Sequence, residues 1–160
     1  MSLKQKVIAI DGPSASGKGT VASRVAEALG FLYLDSGALY RLTALYAQKQ
    51  NVAWSDEDAV STLAETLPAQ FEGSAVLLNG EDVSEQIRTE AIGMGASAVA
   101  QLPKVRAALL QRQRDFLTEK GLVADGRDIG SVIFPDAALK IFLTASANAV
   151  SYTHLRAHET

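Results

Sequence analysis

Val7-Ile8-Ala9-Ile10 is apolar at every position and closes on Asp11, the pattern of a short strand buried on both faces. Phe31-Leu32-Tyr33-Leu34, Leu122-Val123-Ala124 and Leu139-Lys140-Ile141-Phe142-Leu143 repeat it. Between these runs the apolar period becomes helical. Val21, Val25 and Leu29 recur every four residues with Ala22 and Ala26 beside them, predicting one helical face that stops at Gly30. Leu39, Leu42 and Leu45 predict a second helix with Asn51 as its cap. Ser55-Asp56-Glu57-Asp58 reads as a helix start, with Ser55 as N-cap and acids in the first turn. Val60, Leu63 and Leu67 then face inward, and Pro68 closes the segment. Pro103 opens a further helix, expected to run to about Lys120 with Gly121 as its stop.

Residues 70–87 have a different character. Ala75-Val76-Leu77-Leu78 and Glu81-Asp82-Val83 flank Asn79-Gly80, a strong hairpin signal. Residues 89–101 are Ala-rich and helical in propensity, although Gly93 and Gly95 weaken that reading. Strands alternating with helices predict an α/β fold: a parallel sheet with helices on both faces, carrying a small inserted hairpin and helix. Ligands of such sheets bind beyond the carboxyl ends of the strands. Three segments lie just there: Gly12–Thr20, Asp35–Gly37 and Gly126–Asp128.

The first segment, Gly12-Pro13-Ser14-Ala15-Ser16-Gly17-Lys18-Gly19-Thr20, has the G-x4-G-K spacing of a phosphate-binding P-loop between a strand and a helix. Such a loop wraps main-chain N–H groups around phosphate oxygens, with the helix N-terminus adding positive potential and Lys18 a point charge. The order Lys18-Gly19-Thr20 resembles that of nucleoside monophosphate kinases rather than G proteins. The competing reading is a glycine turn with no ligand, which leaves the convergence of three loops unexplained.

Composition narrows the field. A chain of 160 residues suggests one domain. A net charge of −3 advertises no basic surface, so neither nucleic acid nor an anionic membrane is an expected partner. The absence of cysteine excludes disulfides and thiolate metal sites. No apolar run approaches the ~18 residues of a membrane span, and the N-terminus lacks a signal-peptide core. A cytoplasmic monomer is the expectation.

Five blocks, IDGPSASGKGT, LDSGALYR, GEDVSEQIRTE, LPKVRAALLQRQRDF and LVADGRDIGSVIFPDAALKIFL, resemble bacterial cytidylate kinases in order and spacing. The likeness covers about residues 4 to 147. It implies the P-loop nucleoside monophosphate kinase fold, with the CMP-binding insert at about 65–95, and transfer of the γ-phosphoryl group of ATP to CMP or dCMP with Mg²⁺. By the same resemblance Gly12, Pro13, Ser14, Ala15, Ser16, Gly17, Lys18, Gly19 and Thr20 hold ATP. Arg41 and Arg127 grip the CMP phosphate and act with Lys18 in catalysis. Ser36 lines the acceptor site, and Ser97, Arg106 and Asp128 read the cytosine edge.

Plainer readings stand beside these. Arg106 shares its expected helix with Lys104, Arg112, Arg114 and Lys120 and equally reads as a solvated face. Arg127 and Asp128 equally read as a surface ion pair, Arg41 as a solvent-facing helix residue, and Asp35 as a turn residue. Asp125 reads either as an acid near the metal or as a hydrogen-bonding end to its strand. Residues 148–160 show no family pattern and are expected to be a non-family tail. The lid and last strand of the family are then missing, and weak catalysis is expected. His154 and His158 lack a third ligand, so no metal held directly by the protein is expected. Two further readings remain: another P-loop small-molecule kinase, and a nucleotide-binding module without turnover.

Overall fold

The structure is a computed structural model, and it describes residues 6–13 and 16–144. In chain order the elements are β1 (Val7–Asp11), α1 (Lys18–Leu29), β2 (Leu32–Asp35), α2 (Ser36–Lys49), α3 (Glu57–Glu65), β3 (Ala69–Glu72), β4 (Ala75–Leu78), β5 (Glu81–Asp82), α4 (Glu90–Ala100), α5 (Pro103–Arg114), β6 (Leu122–Gly126) and β7 (Leu139–Phe142). The expected tail at 148–160 lies outside the described residues.

All four apolar runs, the last with Lys140 within it, form one parallel sheet in the order β2-β6-β1-β7. Helices cover both faces. On one, α1 packs against Ile10 and Val123; on the other, α2 and α5 enclose a larger core that includes Leu34, Leu39, Leu42, Leu109 and Leu122. The face of α1 differs from the expected one. Ala22 and Ala26 are buried, whereas Val21 is 39% and Leu29 51% exposed. The helix lies on its small residues, which let its backbone approach the sheet, and the larger side chains are displaced to the flank.

Helix α2 buries Leu39, Leu42 and Leu45 as expected. Asn51 ends it in the left-handed region at φ 58°, with the Val52 N–H donating to Ala47 O at 2.8 Å. Two helix ends are corrected. Asp56, not Ser55, caps α3, its Oδ1 accepting from Ala59 N, because a turn closed by Asp56 N on Ala53 O takes up Ser55. Helix α5 stops at Arg114 rather than Lys120. There the chain unwinds into turns that place Phe116 against Phe71 (centroids 5.8 Å apart) and under the Arg112 guanidinium.

The insert is a three-stranded antiparallel meander rather than a lone hairpin, because Ala69–Glu72 pairs with β4. Asn79 and Gly80 both adopt positive φ, as a tight hairpin turn requires. The Phe71 ring meets the edge of Tyr33 on β2, with centroids 6.3 Å apart, which docks the insert beside the sheet.

Gly95 explains itself through packing. It is buried on α4, and a Cβ there would overlap the Trp54 ring, whose Nε1 donates to Ala44 O at 3.0 Å. Gly93, two residues earlier, has nothing within 4 Å of the same position. The same substitution therefore has opposite expected signs. Gly95→Ala should lower stability by about 1–3 kcal/mol through overpacking, and Gly93→Ala should raise it by about 0.5–1 kcal/mol through helix propensity. Urea denaturation midpoints measure both.

Candidate active site

The strand registers set the site. Asp11 of β1 pairs with Gly126, and Ile10 with Asp125; Asp35 of β2 pairs with Asp125 from the other side. The carboxyl ends of three adjacent strands thus bring Asp11, Asp125 and Asp35 into one row. Gly12 follows Asp11 and donates its N–H to Gly126 O at 3.2 Å. A Cβ on Gly12 would run into Leu143 O, so the loop can turn there only on glycine. Ser16 folds back on the loop, its N–H and Oγ donating to Pro13 O at 3.1 and 2.7 Å. Gly17, in the left-handed region, leads into α1, which has no side-chain cap. Its first-turn N–H groups therefore keep their need for acceptors. Lys18 lies over the loop, Nζ 3.3 Å from Pro13 O. Ser14 and Ala15 are outside the described residues.

A cavity of about 630 Å³ opens beside this loop. Its wall gathers residues from all three sequence segments: Gly17, Lys18, Gly19 and Thr20; Ser36 and Arg41; Asp125, Arg127 and Asp128. Gly12 and Pro13 line an adjoining depression of about 720 Å³, which Arg127 and Asp128 also border. Two expected base-reading residues are not on the cavity wall. Ser97 is exposed on α4, and exposed Arg106 donates Nη1 to Ala100 O at 2.9 Å. The positive charge of Arg106 does act on Tyr40, which lines the cavity. Burial holds the Tyr40 hydroxyl above its usual range, and Arg106 opposes that shift.

Arg127 and Asp128 owe their placement to a clamp. The Asp11 carboxylate accepts from Ile129 N at 2.7 Å and from Gly130 N at 2.9 Å. Asp128 sits at φ 61°, and the chain then makes a wide turn in which Ile133 N and Phe134 N each reach back five residues. This geometry leaves the side chains of Arg127 and Asp128 exposed at the cavity mouth.

Several site residues were not singled out by sequence reasoning. Asp11 is one; its only signal is an acid at the end of an apolar strand. Tyr33, which the sequence shows only as part of an apolar strand, donates its hydroxyl to Asp125 Oδ2 at 2.5 Å. Gln113 and Tyr40 line the cavity as well. Asp35 caps α2 through Ala38 N at 3.0 Å, so its turn role is real, and it also borders the cavity. Among the described residues no group of three or more His, Cys, Asp or Glu side chains is arranged to hold a metal. The Thr20 hydroxyl and the Asp35 and Asp125 carboxylates nevertheless share the cavity wall, a hard-oxygen set of the kind that shares Mg²⁺ with phosphates.

Asp125 is 2% exposed and its acidity is altered. Burial, and then the Asp35 charge, push its carboxyl up to about 7; the Tyr33 hydrogen bond and Lys18 pull the other way. Burial and the Asp125 charge push the Tyr33 hydroxyl well above its usual range. Between the ordinary carboxylate value of about 3.9 and about 7, the folded chain binds more protons than the unfolded one. Stability should therefore fall as pH rises through that window and level off above it. Asp125→Asn should flatten this slope and raise stability at pH 8 by about 1–3 kcal/mol. Urea titrations at pH 5 and pH 8 test both points, and a variant with an unchanged slope would remove Asp125 as the cause.

The family model described as cytidylate kinase matches residues 8–157. Cytidylate kinases of Neisseria meningitidis serogroup B and Neisseria gonorrhoeae are 81% and 79% identical over 144 residues, which is 90% of this chain and 66% of each relative. That of Chromobacterium violaceum is 65% identical over 141 residues, 88% of this chain and 64% of the relative. The chain thus spans just under two thirds of the length of these relatives. A phosphate loop, an arginine-lined cavity at the strand ends and a family match over nearly all of its length lead to one conclusion: the chain belongs to the cytidylate kinase family.

Proposed function

We propose that the protein is an ATP-dependent cytidylate kinase, transferring the γ-phosphoryl group of ATP to CMP or dCMP to give ADP and CDP or dCDP. The observation that carries this reading is the single cavity joining the lysine end of the phosphate loop to Arg41, Arg127 and Asp128. Donor and acceptor phosphates can meet within that one cavity.

Phosphoryl transfer calls on a protein mainly for positioning and charge neutralisation. The loop amides and the first turn of α1 hold the donor phosphates, and Lys18 exchanges its contact with Pro13 O for a phosphate oxygen. Arg41 and Arg127 present forked donors suited to the dianionic phosphate of the acceptor. Thr20, Asp35 and Asp125 are the residues that would hold Mg²⁺ with the triphosphate. The ion supplies charge neutralisation and alignment of the phosphate oxygens. Asp128 accepts from the cytosine amine; Arg106 and Ser97 lie off the cavity wall and would complete the edge only on moving toward it. Uracil would turn an oxygen toward Asp128 instead. The absence of any helix long and apolar enough to cross a membrane among the described residues fits a cytoplasmic enzyme.

Calorimetric titration tests the reading first. CMP should bind at least about tenfold more tightly than UMP, and the absence of CMP binding would defeat it. Lys18→Met should lower CMP-dependent ADP formation by about 100-fold or more while CMP affinity stays within twofold. Asp128→Asn is a clean probe because asparagine tolerates the left-handed backbone at this position. It should reduce the CMP-over-UMP preference by about 10- to 100-fold.

A further inference from the structure

Among the described residues one buried side-chain polar atom has no hydrogen-bond partner, Oε1 of Gln113. Gln113 is 2% exposed, and it lines the same cavity as Arg41, Arg127 and Asp128. Its Nε2 donates to Leu109 O, one turn back on α5, at 3.1 Å. That bond fixes the amide: the flipped orientation would set two oxygens against each other. Oε1 is therefore an acceptor without a donor. Left unpaired, a buried acceptor costs about 1–3 kcal/mol, and natural structures keep few of them.

We propose that Gln113 is a further specificity-determining residue of the acceptor site, its Oε1 accepting a hydrogen bond from the exocyclic amine of cytosine. The proposal rests on the cytidylate kinase reading above. Lys18, Arg41 and Arg127 supply the cavity's cations and Asp35, Asp125 and Asp128 its acids, while Gln113 of α5, Tyr40 and Ile133 are neutral members of its lining. The phosphate belongs with the cations and the uncharged base with the neutral residues. Gln113 also lies seven residues beyond Arg106, so both occupy one face of α5, two turns apart. The cytosine amine has two N–H groups. Asp128 can take one, and Gln113 Oε1 is an acceptor for the other. A neutral carbonyl suits this second bond, because a second carboxylate would add another like charge near Asp128 and Asp125. Uracil, with a keto oxygen in place of the amine, would leave Oε1 unpaired and opposed to another oxygen.

The test compares the full chain with Gln113→Leu, of similar volume and without the acceptor, and with Gln113→Met as a second apolar replacement. Calorimetry with CMP, UMP and the pyrimidin-2-one ribonucleoside monophosphate, which lacks the amine, gives three affinities for each. The expected result is a roughly tenfold loss of CMP affinity, with the amine-free nucleotide within twofold and UMP affinity unchanged or raised. Equal losses for all three nucleotides, the signature of a ribose contact or of a purely structural role, overturn the proposal, as does no loss at all. If neither variant folds, a structure of the unmutated chain with CMP decides. Oε1 within about 3.2 Å of the amine nitrogen supports the assignment, and Oε1 beyond hydrogen-bonding reach overturns it. Failure of the parent reading looks different: the unmutated chain then shows no preference for CMP over UMP, and this proposal falls with it.

Discussion

The site depends on one carboxylate that touches no cavity-facing cation in the structure. Asp11 ends β1 and accepts from two successive main-chain amides, at Ile129 and Gly130, in the turn that follows the neighbouring strand β6. Hydrogen bonds to an ionised acceptor are the stronger kind, about 1.5–3 kcal/mol each. They also occupy amides that the wide turn at 129–133 would otherwise leave without a helical partner. The clamp thereby couples two loops that the sheet only places side by side. With Asp11 in position, the phosphate loop begins at a fixed point, and the backbone before Ile129 has little choice but the left-handed conformation seen at Asp128.

Close backbone approach supports the clamp. Gly12 has no room for a side chain against Leu143 O, and a Cβ on Gly126 would come within 2.7 Å of Ser36 Cβ. Alanines rather than leucines seat α1 on the sheet. Small residues here serve proximity, drawing loops after β1, β2 and β6 into one cavity. The insert joins the same arrangement through Tyr33, whose ring meets Phe71 of β3 and whose hydroxyl bonds Asp125. Arg112 adds a second tie, its Nε and Nη2 donating to Leu67 O just before β3. One aromatic side chain thus links the insert to the acid at the centre of the strand ends.

Three of the sheet strands were legible because each is an apolar run, as a strand covered on both faces requires, and the edge strand β7 because Lys140 alone interrupts its apolar run. The hairpin at Asn79-Gly80 was legible because few turns accept two consecutive positive φ values. Ala69–Glu72 was not legible as a strand: Gln70 and Glu72 face outward, and its pairing with β4 comes from the meander, not from its own composition. The end of α5 was hidden for a related reason. Residues 115–120 have adequate helix propensity, and the aromatic packing of Phe116 against Phe71 overrides it. For the site, loops with sequence signatures were found and partners without them were missed. Gly12–Thr20 announces itself by spacing. Asp11, Tyr33 and Gln113 become site residues only through contacts 80 or more positions away in the chain, or through which face of a helix meets a cavity, and no local pattern encodes either. The same logic separates Arg127 from Arg106, since a position just past a strand end is fixed by the sheet while a position on a charged helix is not.

The net charge of −3 looks ill suited to a phosphate site, and the three acids at the strand ends sharpen the difficulty. The structure resolves it by giving each acid a different fate. Asp11 is occupied by two amides, and one oxygen of Asp35 by the first turn of α2. Asp125, between them, is buried against Tyr33 and pushed up to about 7, so its charge is reduced near neutral pH. What then faces the cavity is Lys18, Arg41 and Arg127, with the exposed acid Asp128 at its mouth. Low-dielectric walls make such local charges count for more than distant surface acids, which solvent and salt screen. An acidic protein can therefore present a cationic cavity to a phosphate dianion. It does so by partnering or neutralising its own carboxylates rather than by adding more arginines.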